Sequence, residues 1–393
     1  MSKLERFLAA GLGVLVVLAV AIIFIGPRLV RPDPVPDDQP LAPGEMETLT
    51  ARVIEVLEEG SLDLGDGMTH PYQHLLLHVE SGSLAGQEIR VEEGTVNIIS
   101  EGRLFDVGDR VFVERVAGLD GDRFYISDPV RTSPLFLIAL LFAGLVVLVG
   151  RGRGLRALLG TSFSLLVIFL FILPQIVAGR DPVLVSIAGS VVLLAVSTYM
   201  VYGWNFKAHA AVAGMMLSLV LTWVLAWLFV GWTRLTGLTE EGGFLVSALG
   251  PGIDLRGLVL GGIIIGSLGV LDDICVGQAS AVFELANVNR DMGWRELFRS
   301  SLNIGRDHIA AMVNTLLLAY VGASMPLMLA FTIYPEPVWR RINREPVAEE
   351  IVRTLAGSLG LVMAVPITGL IASLLARWVV RRERQVRRGE GEC

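Results

Sequence analysis

Residues 257–280 read GLVLGGIIIGSLGVLDDICVGQAS. The stretch is long and apolar enough to cross a hydrocarbon core of about 30 Å as a helix, yet it carries the adjacent acids Asp272 and Asp273. An Asp near the centre of a membrane helix costs about 2.5–3.5 kcal/mol even on insertion scales. Such a residue faces a partner helix or a water-filled cavity. The glycines at 262, 266 and 269 permit close helix packing.

Seven further apolar runs surround this one, at about 7–25, 134–150, 155–178, 182–203, 209–231, 308–333 and 354–379. Together with the run at 256–278 they predict a polytopic α-helical membrane protein of about eight transmembrane helices. With 53% hydrophobic and only 18% charged residues among 393, a soluble fold would expose too much apolar surface. The net charge of −7 is uneven: acids crowd into 33–130, and bases into short loops and the tail. That asymmetry is a topology signal and gives no indication of a nucleic-acid partner. The two cysteines, Cys275 and Cys393, exclude a disulfide framework or a cysteine zinc site.

Lys3 and Arg6 precede the first run, which exceeds a signal-peptide core and ends in Phe24-Ile25-Gly26-Pro27-Arg28 without a small-x-small cleavage site. Residues 1–30 therefore read as an uncleaved anchor, followed by a Pro- and Asp-rich linker at 31–45. Residues 46–130 alternate apolar and polar positions at 50–57, 73–79, 110–114 and 123–126, with turn signals at 65–67 and 120–122. Five or so short strands suit a small all-β barrel of the OB type. His70, His74 and His78 recur every four residues, but on a strand that spacing is about 13 Å, too far for one ion. No cofactor is implied. The chain lacks a phosphate loop, H-E-x-x-H and G-x-S-x-G, so no enzyme signature is present.

Basic residues set the orientation. Arg151, Arg153 and Arg156, then Lys207, then Arg290, Arg295, Arg299 and Arg306, then the tail from Arg377 to Arg388 all fall on one side if there are eight spans. Both termini are then cytoplasmic, the β domain is extracytoplasmic, the bundle covers 131–380, and 381–393 form a basic tail in a plasma-membrane protein. The loop 334–353 dissents with Arg340, Arg341 and Arg344, but it also holds Glu336, Glu345, Glu349 and Glu350.

The candidate site follows from helical geometry. At 100° per residue Asp273, Ser280, Glu284 and Asn287 fall within roughly 60° of one another. On the next span Asn303, Asp307 and Asn314 share a face, with Arg306 beside it. Counting from boundaries near Leu258 and His308, Asp273 lies roughly 22 Å inward and Asn314 roughly 9 Å outward, similar levels in a core of about 30 Å. The expected ion or proton site thus comprises Asp272, Asp273, Gln278, Ser280, Glu284, Asn303, Arg306, Asp307, Asn314 and Thr315. A bland alternative is a helix lock in which one Asp pairs with Arg306. Glu284, Asn287 and Arg290 also suit a solvated helix end, and His308 a boundary position. Pro326 and Pro366 are expected to kink the last two spans.

Residues 266–281, GSLGVLDDICVGQASA, resemble the signature of the YibE/F-like membrane proteins. So do 301–308, SLNIGRDH, and 312–320, MVNTLLLAY. The resemblance covers about 130–380, includes the β domain more loosely, and favours Asp273 over Asp272 as the retained acid. It implies architecture more than activity. A more distant likeness is to the SecD/SecF branch of the proton-driven RND exporters, from which the spacing of Arg306 and Asn314-Thr315 departs. The expected function is a secondary transporter or export component for an unknown small solute or ion, coupled to protons or a cation. The alternative is a membrane scaffold or sensor that binds a protein partner through the external β domain. The lipid bilayer is the one partner common to both.

Overall fold

A computed structural model describes residues 46–63, 69–94, 104–118, 121–333 and 336–389. The expected anchor, the linker, the 65–67 turn and Cys393 lie outside the described residues. The chain divides at Leu148/Val149 into two compact units.

The first unit is a β domain. Its strands are β1 (Met46–Asp63), β2 (Thr69–Ser81), β3 (Glu88–Glu93), β4 (Arg110–Val116) and β5 (Arg123–Pro129). They form one antiparallel sheet in the order β3-β2-β1-β4-β5, and the outer strands β3 and β5 approach each other. The sheet therefore curls toward closure. β1 is longer than the alternation at 50–57 suggested, and its register with β2 shifts at three places, which bends it enough to serve two partners. Period-2 alternation places Leu49, Ala51 and Val53, then Leu75, Leu77 and Val79, then Val111 and Val113 inside. Buried Gln73 accepts from Phe105 N at 2.8 Å and donates to Phe105 O at 3.2 Å, pinning the segment that leads into β4.

The helices are α1 (Thr132–Val177), α2 (Pro182–Tyr202), α3 (Phe206–Thr233), α4 (Glu240–Leu249), α5 (Leu255–Val288), α6 (Trp294–Ala323), α7 (Met325–Ile333), α8 (Val338–Arg341) and α9 (Glu345–Gly389). Five of them, α1, α2, α3, α5 and α9, are long and apolar enough to cross a membrane, and α6 with α7 qualifies as a pair. At about 1.5 Å per residue α1 would measure about 69 Å, more than one crossing needs. It breaks at Arg151 (φ 49°, ψ −134°), between Gly150 and Gly152, the point where the sequence separates two spans. The α6–α7 pair bends by 59° at Ser324, next to Pro326. α9 stays helical through Pro366.

Close approaches fix the helix directions. Gly257 meets Pro182 and Gly261 meets Ser186, so α2 and α5 run parallel. Gly262 meets Arg353 and Gln278 meets Gly369, so α5 and α9 run parallel too. A Cβ on Gly214 would collide with Thr368 Oγ1, and one on Gly360 with Thr222 Oγ1. These contacts make α3 and α9 antiparallel, and their register sets Ser218 opposite Ala364. All these residues are buried, whereas Leu217, Val220 and Trp227 on the other side of α3 are exposed. α6 runs antiparallel to α5 and α9, with Ser301 against Gly369 and Gly305 against Val365. Alternating directions bring 151–160, 200–207, 278–301 and 369–389 to one end of this unit. There Arg290 pairs with Glu383 at 3.2 Å, and Arg377 donates to Arg290 O at 3.0 Å. At the other end Glu345 accepts from Thr236 N (2.6 Å) and Gly237 N (2.7 Å), tying the α3–α4 loop to the start of α9.

Candidate functional site

The helix that carries the two acids has a packed side and an open side. Ile264, Leu268, Leu271, Cys275, Ala279 and Val282 face the core. Around the axis from them lie Gly262, Gly266, Gly269, Asp273, Gly277, Ser280 and Glu284, spaced by three or four residues and so aligned on one face. Among them Gly266, Gly269, Asp273 and Glu284 are exposed. Nothing would meet a Cβ within 4 Å at Gly269 or Gly277, whereas Tyr320 OH lies 3.3 Å from that position at Gly266 and Arg353 Nη1 3.0 Å from it at Gly262. α5 thus presents a glycine-lined face, approached at one end by Arg353 and Tyr320 and carrying Asp273 further along. From Gly262 to Asp273 is about 16 Å along the helix.

Arg353 sits between two carboxylates of its own helix. It hydrogen-bonds Glu349 one turn back, and its Nε lies 3.3 Å from Glu350 Oε2. Both acids are largely shielded. A cavity of about 450 Å³ opens beside it. Tyr320, Glu350 and Arg341 mark its polar edge, and Leu317, Met328 and Phe331 its apolar wall. Behind the rim Arg344 grips Glu336 with bonds of 2.8 and 3.2 Å, which hold that carboxyl below the usual carboxylate range.

The neighbouring acids diverge, as residues 100° apart must. Asp273 looks onto the open face. Asp272 is half-buried toward α2, where Thr198 Oγ1 donates to it at 3.4 Å and lies 3.7 Å from Met215 Sδ on α3. Tyr202 is within electrostatic reach of both. Gln278 is buried and donates to Ser301 O at 2.8 Å across to α6, between Gly305 and Gly369. Next to it Thr368 donates to Cys275 Sγ at 3.1 Å. Ser280 is half-buried and Glu284 exposed on the continuation of the open face.

The expected meeting of the two polar stripes does not occur. Among the described residues no hydrogen bond or ion pair joins Asp272 or Asp273 to Arg306, Asp307 or Asn314. The reason is which side of α6 packs. Ser301 and Gly305 are small enough to approach α5 and α9, and both are buried. Asn303, Asp307 and Asn314 lie roughly 160–180° around the helix from Gly305 and are exposed. Arg306 donates to Asn303 on its own helix at 3.2 Å, and Thr315 to Ala311 O at 3.0 Å. His308 is exposed. The depth estimate also shifts, because α5 continues to Val288 and α6 begins at Trp294, leaving only a short connection. Among the described residues no group of histidines, cysteines and acids could hold a metal ion. In the β domain His70 Nε2 instead lies 2.6 Å from Gly94 O.

The Glu349-Glu350-Arg353 group is masked in the sequence, because those acids read as part of a loop ending at 353, whereas α9 begins at Glu345. Their i, i+3 and i, i+4 spacing was the available signal. The profile of the family described as YibE/F-like protein matches residues 138–378, from within α1 to Trp378 near the end of the apolar part of α9. The chain belongs to the YibE/F-like family. Both the glycine-lined face of α5 and the Arg353 cluster fall inside the matched region, and the β domain falls outside it. No curated protein and no solved structure matches the chain.

Proposed function

We propose that this YibE/F-like protein is a secondary transporter or export component in which Asp273 takes up a proton or a cation along the glycine-lined face of α5. The observation that carries the reading is the continuous glycine-lined face of α5 between the Arg353 cluster and Asp273. Glycines remove side chains where a hydrated path needs room, and an ionisable group on such a face is a site for charge. The cavity beside Glu350 would receive a small amphipathic solute, since its apolar wall and few polar edges suit such a ligand. Asp272, held by Thr198, would keep its neighbour's position fixed, and Gln278 would lock α5 to α6. Asn303, Arg306, Asp307 and Asn314 take no part in this path.

The reading includes eight spans, with α1 crossing twice about Arg151 and the basic end of the bundle in the cytoplasm of a plasma-membrane protein. The β domain, whose strand order suits an OB-type barrel, would then be extracytoplasmic.

The test uses the full chain in liposomes loaded with a pH-sensitive dye, with sodium or potassium gradients as further arms. Wild-type protein should pass protons or one of these cations, and Asp273→Asn should abolish that flux while its melting in detergent is unchanged. Wild-type flux in Asp273→Asn removes the mechanism.

A further inference from the structure

An acid and a base line the cavity of about 450 Å³ without pairing with each other. Arg341 on α8 donates from Nε to Glu336 O at 2.8 Å. The Glu336 carboxylate is gripped by Arg344 instead. Among the described residues Arg341 forms no ion pair, so its terminal nitrogens remain as donors. Glu350 on α9 has Arg353 Nε at 3.3 Å, but that nitrogen makes no hydrogen bond. Arg353 donates to Glu349 from its other end. Among the described residues the Glu350 carboxylate therefore accepts no hydrogen bond. Both side chains are half-buried. A polar group left unmatched at an apolar wall is costly, and a charged one more so.

The two vacancies have opposite chemistry. The planar fork of an arginine suits a phosphate or a carboxylate. The lone pairs of a carboxylate suit a positively charged N–H donor. A ligand with one charge would match one residue and be repelled by the other. A ligand with both charges matches both. Much of the remaining wall is apolar, with Leu317, Val321, Met328, Phe331 and Leu355, and suits a hydrocarbon chain.

We propose that this cavity binds a single-chain zwitterionic amphipath. Its primary ammonium sits on Glu350, its phosphate or carboxylate on Arg341, and its chain along Leu317, Phe331 and Leu355. The part such a molecule plays as a transported solute rests on the transporter reading, whereas its binding does not.

The test titrates the full chain in nonionic detergent and counts bound ligand by native mass spectrometry. Lysophosphatidylethanolamine presents the phosphate form and an α-amino fatty acid the carboxylate form. Lysophosphatidylcholine keeps both charges but has no N–H to donate, and lysophosphatidylglycerol lacks the cation. Saturable binding of one copy of either zwitterion with N–H donors is expected, tighter than both controls by about tenfold or more. The tighter of the two tells a lipid headgroup from a free amino acid. Glu350→Gln and Arg341→Gln should each weaken that binding by about tenfold. The ligand comparison uses the wild-type chain, so it stands whether or not a variant folds. Equal binding of all four ligands, binding of neither zwitterion with N–H donors, or binding unchanged in folded Glu350→Gln and Arg341→Gln overturns the proposal. Ion flux through Asp273 without selective binding removes this site alone, and selective binding without ion flux removes the transporter reading alone.

Discussion

The two units of this chain both bury apolar side chains, but only the helical one also packs glycines and hydroxyls deep inside while leaving many large apolar residues outside. In the β domain Leu75, Leu77 and Val79 point inward, while Glu80, Arg52 and Arg110 form ion pairs at the surface. In the helical unit Gly214, Ser218, Thr222, Gly360 and Thr368 are inside, while Leu184, Leu217 and Trp227 are outside. The solvent explains the difference. Water drives apolar side chains out of contact with itself, so the β domain is held by apolar area. Lipid tails do not distinguish Leu from their own substance, so helices there are held by close backbone approach and hydroxyl contacts. An exposed leucine of the helical unit should therefore tolerate truncation that a buried leucine of the β domain would not.

The sharpest break in the comparison is Gly214→Leu. A side chain at 214 has no room before Thr368, and α3 and α9 would have to separate along the register that also seats Thr222 against Gly360. Overpacking of this kind costs on the order of 3 kcal/mol. The expected outcome is aggregation or a large fall in melting temperature on size exclusion in detergent. Leu217→Ala, three residues away and exposed, should leave the melt nearly unchanged. Equal effects from the two would show that the outer face of α3 is also packed.

The difference also explains which parts of the structure were legible in the sequence. Apolar runs and alternation depend on residue class alone, so the long apolar helices, the β domain and the break near Arg151 could be read directly. β3 was not separately marked, because Glu88–Glu93 alternates over a short charged stretch. The interior of the helical unit was harder to read. Its signal is small residues four apart, at Ala210, Gly214, Ser218, Thr222 and Ala226, embedded in runs whose hydropathy is uniformly high. Asp273 was found because charge in an apolar helix stands out. Its surroundings were misassigned because a polar stripe on α6 looked like the natural partner. Polarity marked the stripe correctly, but helix packing is decided by size, and Ser301 and Gly305 turned the other side of α6 inward.

Two buried glutamines sharpen the contrast at the level of single hydrogen bonds. Gln73 serves both the N–H and the C=O of Phe105, which have no strand partner of their own to fall back on. Gln73→Leu should leave two buried polar groups unsatisfied, a cost of about 2–3 kcal/mol. Gln278 donates to Ser301 O, a carbonyl inside the α6 helix that retains its own helical donor. Gln278→Leu should cost about 1 kcal/mol or less. Hydrogen exchange of the full chain reads the two sites separately. Faster exchange across 73–79 in Gln73→Leu, with a smaller change across 297–305 in Gln278→Leu, is the expected result. The reverse order would mean that Gln278 holds more than one helix contact.

The smallest effect is electrostatic and belongs to the β domain alone. Partial burial pushes the Glu80 carboxyl up, but hydrogen bonds from Arg52 at 2.8 Å and Arg110 at 2.7 Å outweigh it, so the group sits below its usual range. A carboxyl lowered by folding contributes stability that is complete above its unfolded pKa, about 4.3. That contribution is lost as the pH falls through the lower folded value. Both guanidinium groups are about half exposed, so the contribution is below about 1 kcal/mol. In hydrogen exchange corrected for intrinsic rates, protection across 75–81 should decline on acidification below about pH 4.3 in wild-type protein and decline less in Glu80→Gln. Helical-unit segments such as 217–227, which lack acids, supply the internal control. If wild type and Glu80→Gln lost protection in parallel, the acid sensitivity of the β domain would arise elsewhere, and the pair of arginines would be a surface feature without a share in stability.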